Sequence, residues 1–359
     1  AATFSGNPCR RGHDGVRYTL MRYEDGVAVP SVPIVGPQND GGAMHVAWPS
    51  AFNVLGATRV YGSRYYANQW RDIAVWHSSD GQTFSWGGVV FSGWPVEPYG
   101  IGPSQIYYDA GTAVPWKMVY AVRNAAGGGT MFDLADSPDG LQWTRRGTVL
   151  TATETYEAAG ISPSHVTRAN DGTWVLFYQA YQTSGLGPAV IATAPTSNGP
   201  FTNKQVIFQP NGIVHSVTDA KRLTTTGTVN GQVRIGEPHL IRLMAGGGLQ
   251  VCLPIKQVGS TVYFDEFMLA DYALGVELAH IARNKVDPSY AYQFQDGSWR
   301  GVFTGYGQWP AVATEYTFSV QAPALSGPWT ITPGRVPFSP WNAATLVSAE
   351  NPTPIVNVT

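Results

Sequence analysis

Short apolar stretches, many of them alternating with polar residues, follow one another along most of this chain. WVLFYQAYQ at 174–182 and AVIATAPT at 189–196 form one such pair. Turn residues separate the stretches, and the Asp-Gly pairs in NDGTW at 170–174 and QDGSW at 295–299 supply the positive φ that a tight hairpin turn needs. The pattern predicts a succession of short antiparallel β-strands.

A proline-centred phrase recurs at the start of each group of strands. Its five copies are AWPSAF, IGPSQI, ISPSHV, GEPHLI and VDPSYA, with prolines Pro49, Pro103, Pro163, Pro238 and Pro288. Successive prolines are 54, 60, 75 and 50 residues apart, which suits repeats of four short strands. We therefore predict an all-β fold, a five-bladed β-propeller with four antiparallel strands per blade, in which the phrase marks the innermost strand of each blade.

The repeat also sets the predicted domain organisation. Residues 1–42 form an N-terminal extension, in which VRYTLMRY at 16–23 is a candidate strand for completing the last blade and closing the ring. Residues 43–340 form the propeller, and residues 341–359 form a C-terminal tail. The predicted blades are 43–95, 96–152, 153–210, 231–284 and 285–340, with a polar insertion at 211–230 that we expect to project as a loop or hairpin.

Composition supports the predicted β-strands and limits the kinds of partner that we expect the protein to bind. The chain has 41 Gly, 26 Pro and 12% aromatic residues, as expected of many short strands joined by tight turns. Charged residues make up 13% and the net charge is -2, so there is no basic field to attract nucleic acid. No apolar run approaches the roughly 20 residues that a bilayer requires, and we expect no membrane insertion.

Cysteine usage and the N-terminal sequence bear on localisation. Cys9 and Cys252 form either one disulfide bridge or two buried thiols, and the sequence leaves both open. The chain begins AATFSG, without Met, and has only five lysines. These features favour an extracellular protein, either secreted or exposed on a virion surface.

The turns before the fourth strands contain acidic residues that we interpret as structural. SSDGQTF at 78–84 and SPDGLQW at 137–143 place an Asp beside the Gly of a turn, where its carboxylate can accept hydrogen bonds from the local backbone. We therefore predict that Asp80 and Asp139 are not catalytic.

Polar and aromatic residues flank the repeated prolines. If the innermost strands converge, several of these side chains enter one central funnel, where amide and imidazole groups can bond sugar hydroxyls and an indole can stack on a pyranose ring. Structural roles are the alternative, with the histidines bonding neighbouring strands and the tryptophan acting as a wedge between blades. The predicted substrate-binding residues are His45, Trp48, Gln105, His165, His239 and Tyr290.

The phrases VDPSYA and GEPHLI, together with turns ending in GPF at 199–201 and GPW at 327–329, resemble the five-bladed glycoside hydrolases. That family includes arabinanases, β-xylosidases and, more distantly, invertases, and the resemblance covers roughly residues 43–340. It implies carboxylates facing one another across a funnel, about 5–5.5 Å apart for retention of configuration or about 6.5–9.5 Å for inversion. It also implies that Glu237 is the general acid and that Asp287 is the base or nucleophile.

The chain departs from the family pattern where the family has its catalytic acids. In the family, acids open the innermost strands of the first three blades, whereas the matching slots here hold Trp48, Gly102 and Ser162. Glu237 and Asp287 fall instead in adjacent blades, with the acid before the base. Structural alternatives are a Glu237 paired with backbone amides or Arg234 and a turn-capping Asp287. Acids near other predicted strand ends are candidates for a displaced catalytic group: Glu97, Asp109, Glu154, Glu157, Asp265 and Glu266.

Three functions follow from these patterns. The first is an extracellular propeller that binds a glycan or polysaccharide in its funnel without family-type catalysis. The second is an active glycoside hydrolase that uses Glu237 and Asp287. The third is a phage receptor-binding or structural virion protein, with protein partners on the propeller faces or the 211–230 insertion.

Motifs for other chemistries are missing from the sequence. It has no metal motif of diagnostic spacing, no Gly-rich phosphate loop between a strand and a helix, and no Gly-x-Ser-x-Gly elbow. We predict no cofactor, and the sequence leaves a central structural ion open.

Overall fold

The computed structural model describes the following residues: 2–6, 20–24, 27–28, 45–66, 69–80, 83–93, 95–124, 129–169, 171–182, 185–208, 213–215, 222–224, 233–235, 239–243, 249–257, 266–271, 276–282, 286–293, 297–309, 312–324, 330–331 and 350–358. Side chains are described mainly between residues 46 and 206, with short gaps. Glu237 and Cys9 therefore lie outside the described residues. In most of the other described strands the structure describes the backbone alone.

The first repeat forms a four-stranded antiparallel unit inside a larger sheet. Its strands pair in chain order. Three short N-terminal strands precede it: β1 (Ala2–Gly6), β2 (Leu20–Glu24) and β3 (Val27–Ala28). The strands of the unit are β4 (His45–Val54), β5 (Ala57–Tyr66), β6 (Gln69–Ser78) and β7 (Ser85–Ser92).

The second and third repeats each form a separate sheet of four antiparallel strands that also pair in chain order. A short 3₁₀ helix, Thr155–Glu157, lies between them. The strands of the second sheet are β8 (Ile101–Tyr108), β9 (Trp116–Arg123), β10 (Gly129–Ser137) and β11 (Thr144–Thr151); those of the third are β12 (Gly160–Arg168), β13 (Trp174–Gln182), β14 (Gly185–Ala194) and β15 (Thr202–Phe208).

The rest of the chain adds a hairpin, two further sheets and a C-terminal strand. The hairpin falls within the segment predicted to be an insertion. Its strands are β16 (Ile213–His215) and β17 (Arg222–Thr224). The next sheet contains β18 (Val233–Ile235), β19 (His239–Leu243), β20 (Leu249–Gln257), β21 (Glu266–Asp271) and β22 (Val276–Ala282), and the last contains β23 (Val286–Gln293), β24 (Trp299–Trp309), β25 (Val312–Ala322) and β26 (Thr330–Ile331). The C-terminal strand is β27 (Glu350–Val358).

The two ends of the chain meet beside the first sheet. β27 pairs in parallel with β4 and antiparallel with β1, and β1 pairs with β2. Residues 20–23 of the predicted closing strand therefore belong, through β2, to the sheet of β4.

The strands that carry the repeated phrase lie next to one another in space. β4 contacts β8, β8 contacts β12, β12 contacts β19 and β19 contacts β23. β23 in turn contacts β27, which pairs with β4. The phrases, widely spaced in sequence, are thus carried on neighbouring strands.

The repeated phrase coincides with a β-bulge, where one strand holds extra residues against its partner. The register shifts between Ala47 and Ser50 in β4, and between Ile101 and Ser104 in β8. It shifts between Pro163 and His165 in β12, and β23 has the same irregularity. Proline lacks an N–H for the ladder and is tolerated at bulges, which explains how an innermost strand accommodates it.

Two apolar layers join the first three sheets face to face. One contains Phe52, Tyr61 and Phe91 of the first sheet against Trp116 and Tyr120 of the second. The other joins the second and third sheets, and its members include Phe132, Leu134, Leu176 and Tyr178. A sheet is stabilised when its apolar face is covered, and here each sheet covers its neighbour.

Candidate functional site

Trp48 occupies the bulge of β4 with an unusual backbone. Its φ is 51°, in the left-handed region that bulky residues rarely adopt. Residues held in this region cost of order 1–3 kcal/mol and concentrate at functional sites, because the surrounding structure has to impose them. The side chain is partly exposed.

The Trp48 indole lies against Gly102, the residue that occupies the second acid slot. A Cβ built on Gly102 would stand 3.5 Å from Trp48 Cζ3 and 3.6 Å from Ser63 Oγ. Gly102 also has φ of +112°, which strains any residue with a side chain. A Cβ at this slot would be in ordinary van der Waals contact with the indole, and the positive φ of Gly102 disfavours any side chain there, so the second slot holds a glycine beside an aromatic ring.

A second aromatic ring packs on Trp48, and a third packs on the second. The ring centroids of Trp48 and Trp70 are 4.4 Å apart at an interplanar angle of 54°. Those of Tyr65 and Trp70 are 5.4 Å apart in an edge-to-face arrangement. All three side chains are partly exposed, and we call Trp48, Tyr65 and Trp70 the hub aromatic cluster.

The serines of the repeated phrase connect the first two sheets. Ser63 Oγ and Ser104 Oγ are 3.2 Å apart in a buried contact between β5 and β8. The Ile106 N–H of β8 donates to Ser50 Oγ of β4 at 3.4 Å. The first contact joins β8 to β5 and the second joins β8 to β4, so both fasten the phrase-bearing strand of the second sheet to the first sheet.

His165 lies in the bulge region of β12, opposite Phe177 of β13. Its ring centroid is 6.4 Å from that of Phe177. Desolvation lowers the pKa of His165 to about 4, so the imidazole is neutral at pH 7. A neutral imidazole offers one donor and one acceptor to a ligand.

The other predicted binding residues lie on the same series of strands. Gln105 is partly exposed on β8. For His45 on β4, His239 on β19 and the pair Asp287 and Tyr290 on β23, the structure describes the backbone alone. The strands of these residues are neighbours, whereas the roles of Glu237 and Asp287 stay predictions.

Glu97, one of the candidate displaced acids, is engaged in an ion pair. It lies in the connection between β7 and β8, 6% exposed. Arg145 donates to both of its carboxylate oxygens, each at 3.0 Å, and the Tyr120 hydroxyl donates to Oε1 at 3.3 Å. The Arg145 guanidinium also lies 4.5 Å from the Phe91 ring centroid. Glu97 therefore anchors its loop to the second sheet.

Glu157 has the same role one sheet further on. It is 2% exposed and ends the 3₁₀ helix between β11 and β12. Tyr178 and Lys204 of the third sheet each donate to it at 2.7 Å. The Thr153 and Glu154 N–H groups donate to it at 2.7 and 2.9 Å.

Of the remaining candidate acids, one accepts a hydrogen bond in a turn and one is exposed. The side chains of the other two are not described. Asp109 accepts the Gly111 N–H at 3.0 Å in the turn after β8, and Glu154 is exposed. Asp265 lies outside the described residues, and Glu266 is described by its backbone in β21.

The interpretation of Asp80 and Asp139 as turn residues agrees with their contacts. The Thr83 N–H donates to Asp80 at 2.7 Å. The Leu141 and Gln142 N–H groups donate to Asp139 at 2.8 and 2.9 Å. Backbone and Ser137 hydrogen bonds to the carboxylate hold the pKa of Asp139 below its usual range, although burial opposes them.

Sequence reasoning missed Tyr65 and Trp70. Both belong to RYYANQW at 64–70, the aromatic-rich end of the hairpin between the second and third strands of the first repeat. The concentration of rings at one hairpin end was the available signal. Trp70 contacts Trp48, which lies in the bulge of β4, and the sequence pattern does not reveal that bulge.

The described part of the chain lacks two general features. Within it, no group of three or more His, Cys, Asp or Glu side chains is arranged to hold a metal ion. None of the helices found there is long and apolar enough to cross a membrane.

Comparison with known proteins identifies the class of fold. A thermostable family-43 glycoside hydrolase superposes with a TM-score of 0.53 at 13% identity, covering 83% of this chain and 96% of that one. An exo-1,5-α-L-arabinanase from a bovine ruminal metagenomic library superposes with a TM-score of 0.50 at 15% identity, covering 83% of this chain and all (100%) of the other. No protein-family profile and no curated protein matches the chain.

The chain thus has the β-propeller fold of the family-43 glycoside hydrolases. Its antiparallel four-stranded sheets, joined face to face and connected through neighbouring phrase-bearing strands, agree with that fold. Because the identities are low, the likeness concerns architecture, and function has to be argued from the residues of the site.

Proposed function

We propose that this protein is an extracellular five-bladed propeller that binds a glycan in its central funnel without family-type catalysis. The five groups of strands and the closed succession of contacts among β4, β8, β12, β19, β23 and β27 support the blade number. The hub aromatic cluster, beside the second acid slot, carries the functional proposal.

The first three slots argue against the family's chemistry. Acid–base hydrolysis of a glycosidic bond needs two carboxyl groups facing each other across the bond. Trp48, Gly102 and Ser162 cannot supply them, and the indole lies against Gly102. Two displaced acids, Glu97 and Glu157, are each engaged with a basic residue and a tyrosine.

The same residues favour recognition of a sugar. Partly exposed aromatic rings offer flat apolar surface to the C–H face of a pyranose or furanose, and a few polar groups then fix orientation. Trp48 and Trp70 supply such surface on the first sheet. Gln105 and the neutral imidazole of His165 supply polar groups on the next two strands of the series.

A combined binding and turnover screen tests the proposal. The wild-type chain would be applied to an array of plant, algal and bacterial glycans, and the bound polysaccharides would then be incubated with it and assayed for reducing ends. We expect binding without release of reducing ends. Measurable turnover would contradict the proposal.

An active glycoside hydrolase is the second candidate function, and it rests on the phrases GEPHLI and VDPSYA. In that case Glu237 acts as acid and Asp287 as base or nucleophile. Turnover of aryl glycosides that is lost in both Glu237→Gln and Asp287→Asn would establish it. Equal turnover in wild type and Glu237→Gln would remove Glu237 from the mechanism.

A further inference from the structure

The loop between β7 and β8, residues 93–100, presents apolar side chains to solvent. Its sequence is GWPVEPYG. Val96 is 64% exposed and Tyr99 is 54% exposed, and the prolines at 95 and 98 are exposed as well. The loop's one charged residue, Glu97, is buried and paired, so the exposed surface of the described loop residues is uncharged.

This loop is anchored at both ends and in its middle. The Gly93 N–H donates to the Arg71 carbonyl at 3.0 Å, and the Arg123 N–H donates to the Gly100 carbonyl at 3.2 Å. Within the loop the Glu97 N–H donates to the Gly93 carbonyl at 2.7 Å. The two bonds from Arg145 hold the Glu97 carboxylate. Val96 and Tyr99 are therefore displayed on a preorganised segment, which lowers the entropic cost of binding.

The loop continues directly into the hub aromatic cluster. A Cβ on Gly100 would lie 2.2 Å from the Trp70 carbonyl oxygen, so the loop backbone packs against the backbone of Trp70. Two residues later Gly102 lies under the Trp48 indole. Tyr99 is thus one residue away from the backbone contact of Gly100 with Trp70, whose ring packs on Trp48.

We propose that residues 95–100 of this loop form a second sugar subsite, in which Tyr99 and Val96 bind a unit next to the one at the hub aromatic cluster. The ligand is accordingly an oligosaccharide or polysaccharide chain that runs outward from the hub over this junction. The uncharged surface suits a neutral chain rather than an acidic one. This inference rests on the proposed function and extends it from a single sugar to a chain.

The test measures how affinity depends on chain length. The full chain would be titrated calorimetrically with the disaccharide and the hexasaccharide of four neutral glycans: xylan, arabinan, galactan and β-glucan. We expect at least one hexasaccharide to bind about tenfold more tightly than its disaccharide, and Tyr99→Ala to remove that difference while leaving the disaccharide affinity unchanged. Val89→Ala, which truncates another exposed apolar side chain on β7, is the matched control and should change neither affinity.

The outcomes separate this inference from the proposed function. Equal affinity for both lengths, or a length preference that persists in Tyr99→Ala, overturns the second subsite while leaving a glycan-binding hub. Failure of all eight sugars to bind overturns the subsite, and the glycan array decides the proposed function independently. Self-association in sedimentation that Tyr99→Ala abolishes would assign the loop to a second copy of the chain and also overturn the proposal.

Discussion

Trp48 combines a left-handed backbone with a partly exposed ring. Substitution by Gly removes the indole and relieves the strained φ of 51°. We expect glycan affinity to fall at least about tenfold, since a central aromatic anchor is lost. The free energy of unfolding should change by less than about 2 kcal/mol, because relief of strain offsets the lost packing. Calorimetric titration and denaturant unfolding measure the two quantities.

A second tryptophan provides the control for this substitution. Trp86 on β7 is also partly buried and packs edge-to-face on Trp76, with centroids 5.4 Å apart. Trp86→Ala should lower stability and leave glycan affinity unchanged. A similar loss of affinity in both variants would show that the effect of Trp48→Gly arises from general loosening of the first sheet.

His165 makes stability depend on pH. Its pKa in the folded state, about 4, lies below the ordinary 6.5, so the unfolded chain binds more protons between these values. This contribution to stability is complete above pH 6.5 and is lost as the pH falls toward 4. At pH 5 the loss amounts to about 2 kcal/mol.

Urea unfolding at pH 7.5 and pH 5 would measure this dependence. His165→Asn should be less stable than wild type at pH 7.5 but should lose about 2 kcal/mol less on acidification. His77, whose pKa is also lowered by burial, contributes equally to both proteins and cancels in the comparison. Identical pH profiles would mean that His165 is not desolvated in the folded protein.

At the scale of elements, the two connections that link the first three sheets are held in the same way. Each contains a buried glutamate that bonds a tyrosine of the next sheet's second strand and a basic residue of its fourth strand. The two sets are Glu97, Tyr120 and Arg145, and Glu157, Tyr178 and Lys204. In each case the glutamate fixes the connection that leads into a phrase-bearing strand, β8 after Glu97 and β12 after Glu157.

Neutralising one of these carboxylates should be costly. In Glu157→Gln the Lys204 ammonium loses its paired charge in a mostly buried site, and an amide faces donors that the carboxylate accepts. We expect a loss of about 3 kcal/mol in the free energy of unfolding. Glu154→Gln, an exposed change three residues away, should cost less than about 0.5 kcal/mol. Equal effects in urea unfolding would contradict the fastening role.

These elements also show which features of the fold could be predicted from the sequence. The repeated phrase predicted β4, β8, β12 and β23 as the first strands of their repeats, whereas β18 precedes the phrase-bearing β19 in the fourth. Proline inside a strand was a usable sign of the bulge. Glu97 and Glu157 were recognisable as acids near strand ends, but not as ion-paired residues. Their partners lie 23 and 48 residues away for Glu97, and 21 and 47 for Glu157, on strands whose relative placement depends on the packing of whole sheets.

At the scale of the whole molecule, the sequence predicted the all-β propeller because strand patterns and repeat spacing are properties of the chain itself. It could not predict that the C-terminal strand would pair with β4. That pairing joins segments about 300 residues apart, and the tail has no repeat phrase to reveal it. Of the three residues of the hub aromatic cluster the sequence predicted one, Trp48, for a similar reason.

The position of β27 predicts that it holds the first sheet and the chain ends together. Four of its residues pair with β4 and others pair with β1. Deletion of residues 350–359 exposes the edge of β4, and the pairing with β4 alone should be worth roughly 4 kcal/mol. We expect a lower unfolding midpoint in calorimetry and a greater tendency to aggregate.

Adding the missing strand back as a separate peptide distinguishes loss of pairing from general damage. A peptide of residues 346–359 should raise the midpoint of the shortened protein, because it can occupy the edge of β4. The same peptide with Val356→Pro should not, since Val356 pairs with Phe52 and proline cannot donate to the ladder. Equal rescue by both peptides would show that the ladder position of Val356 is not needed for the stabilisation. An unchanged midpoint after the deletion would show that β27 is dispensable.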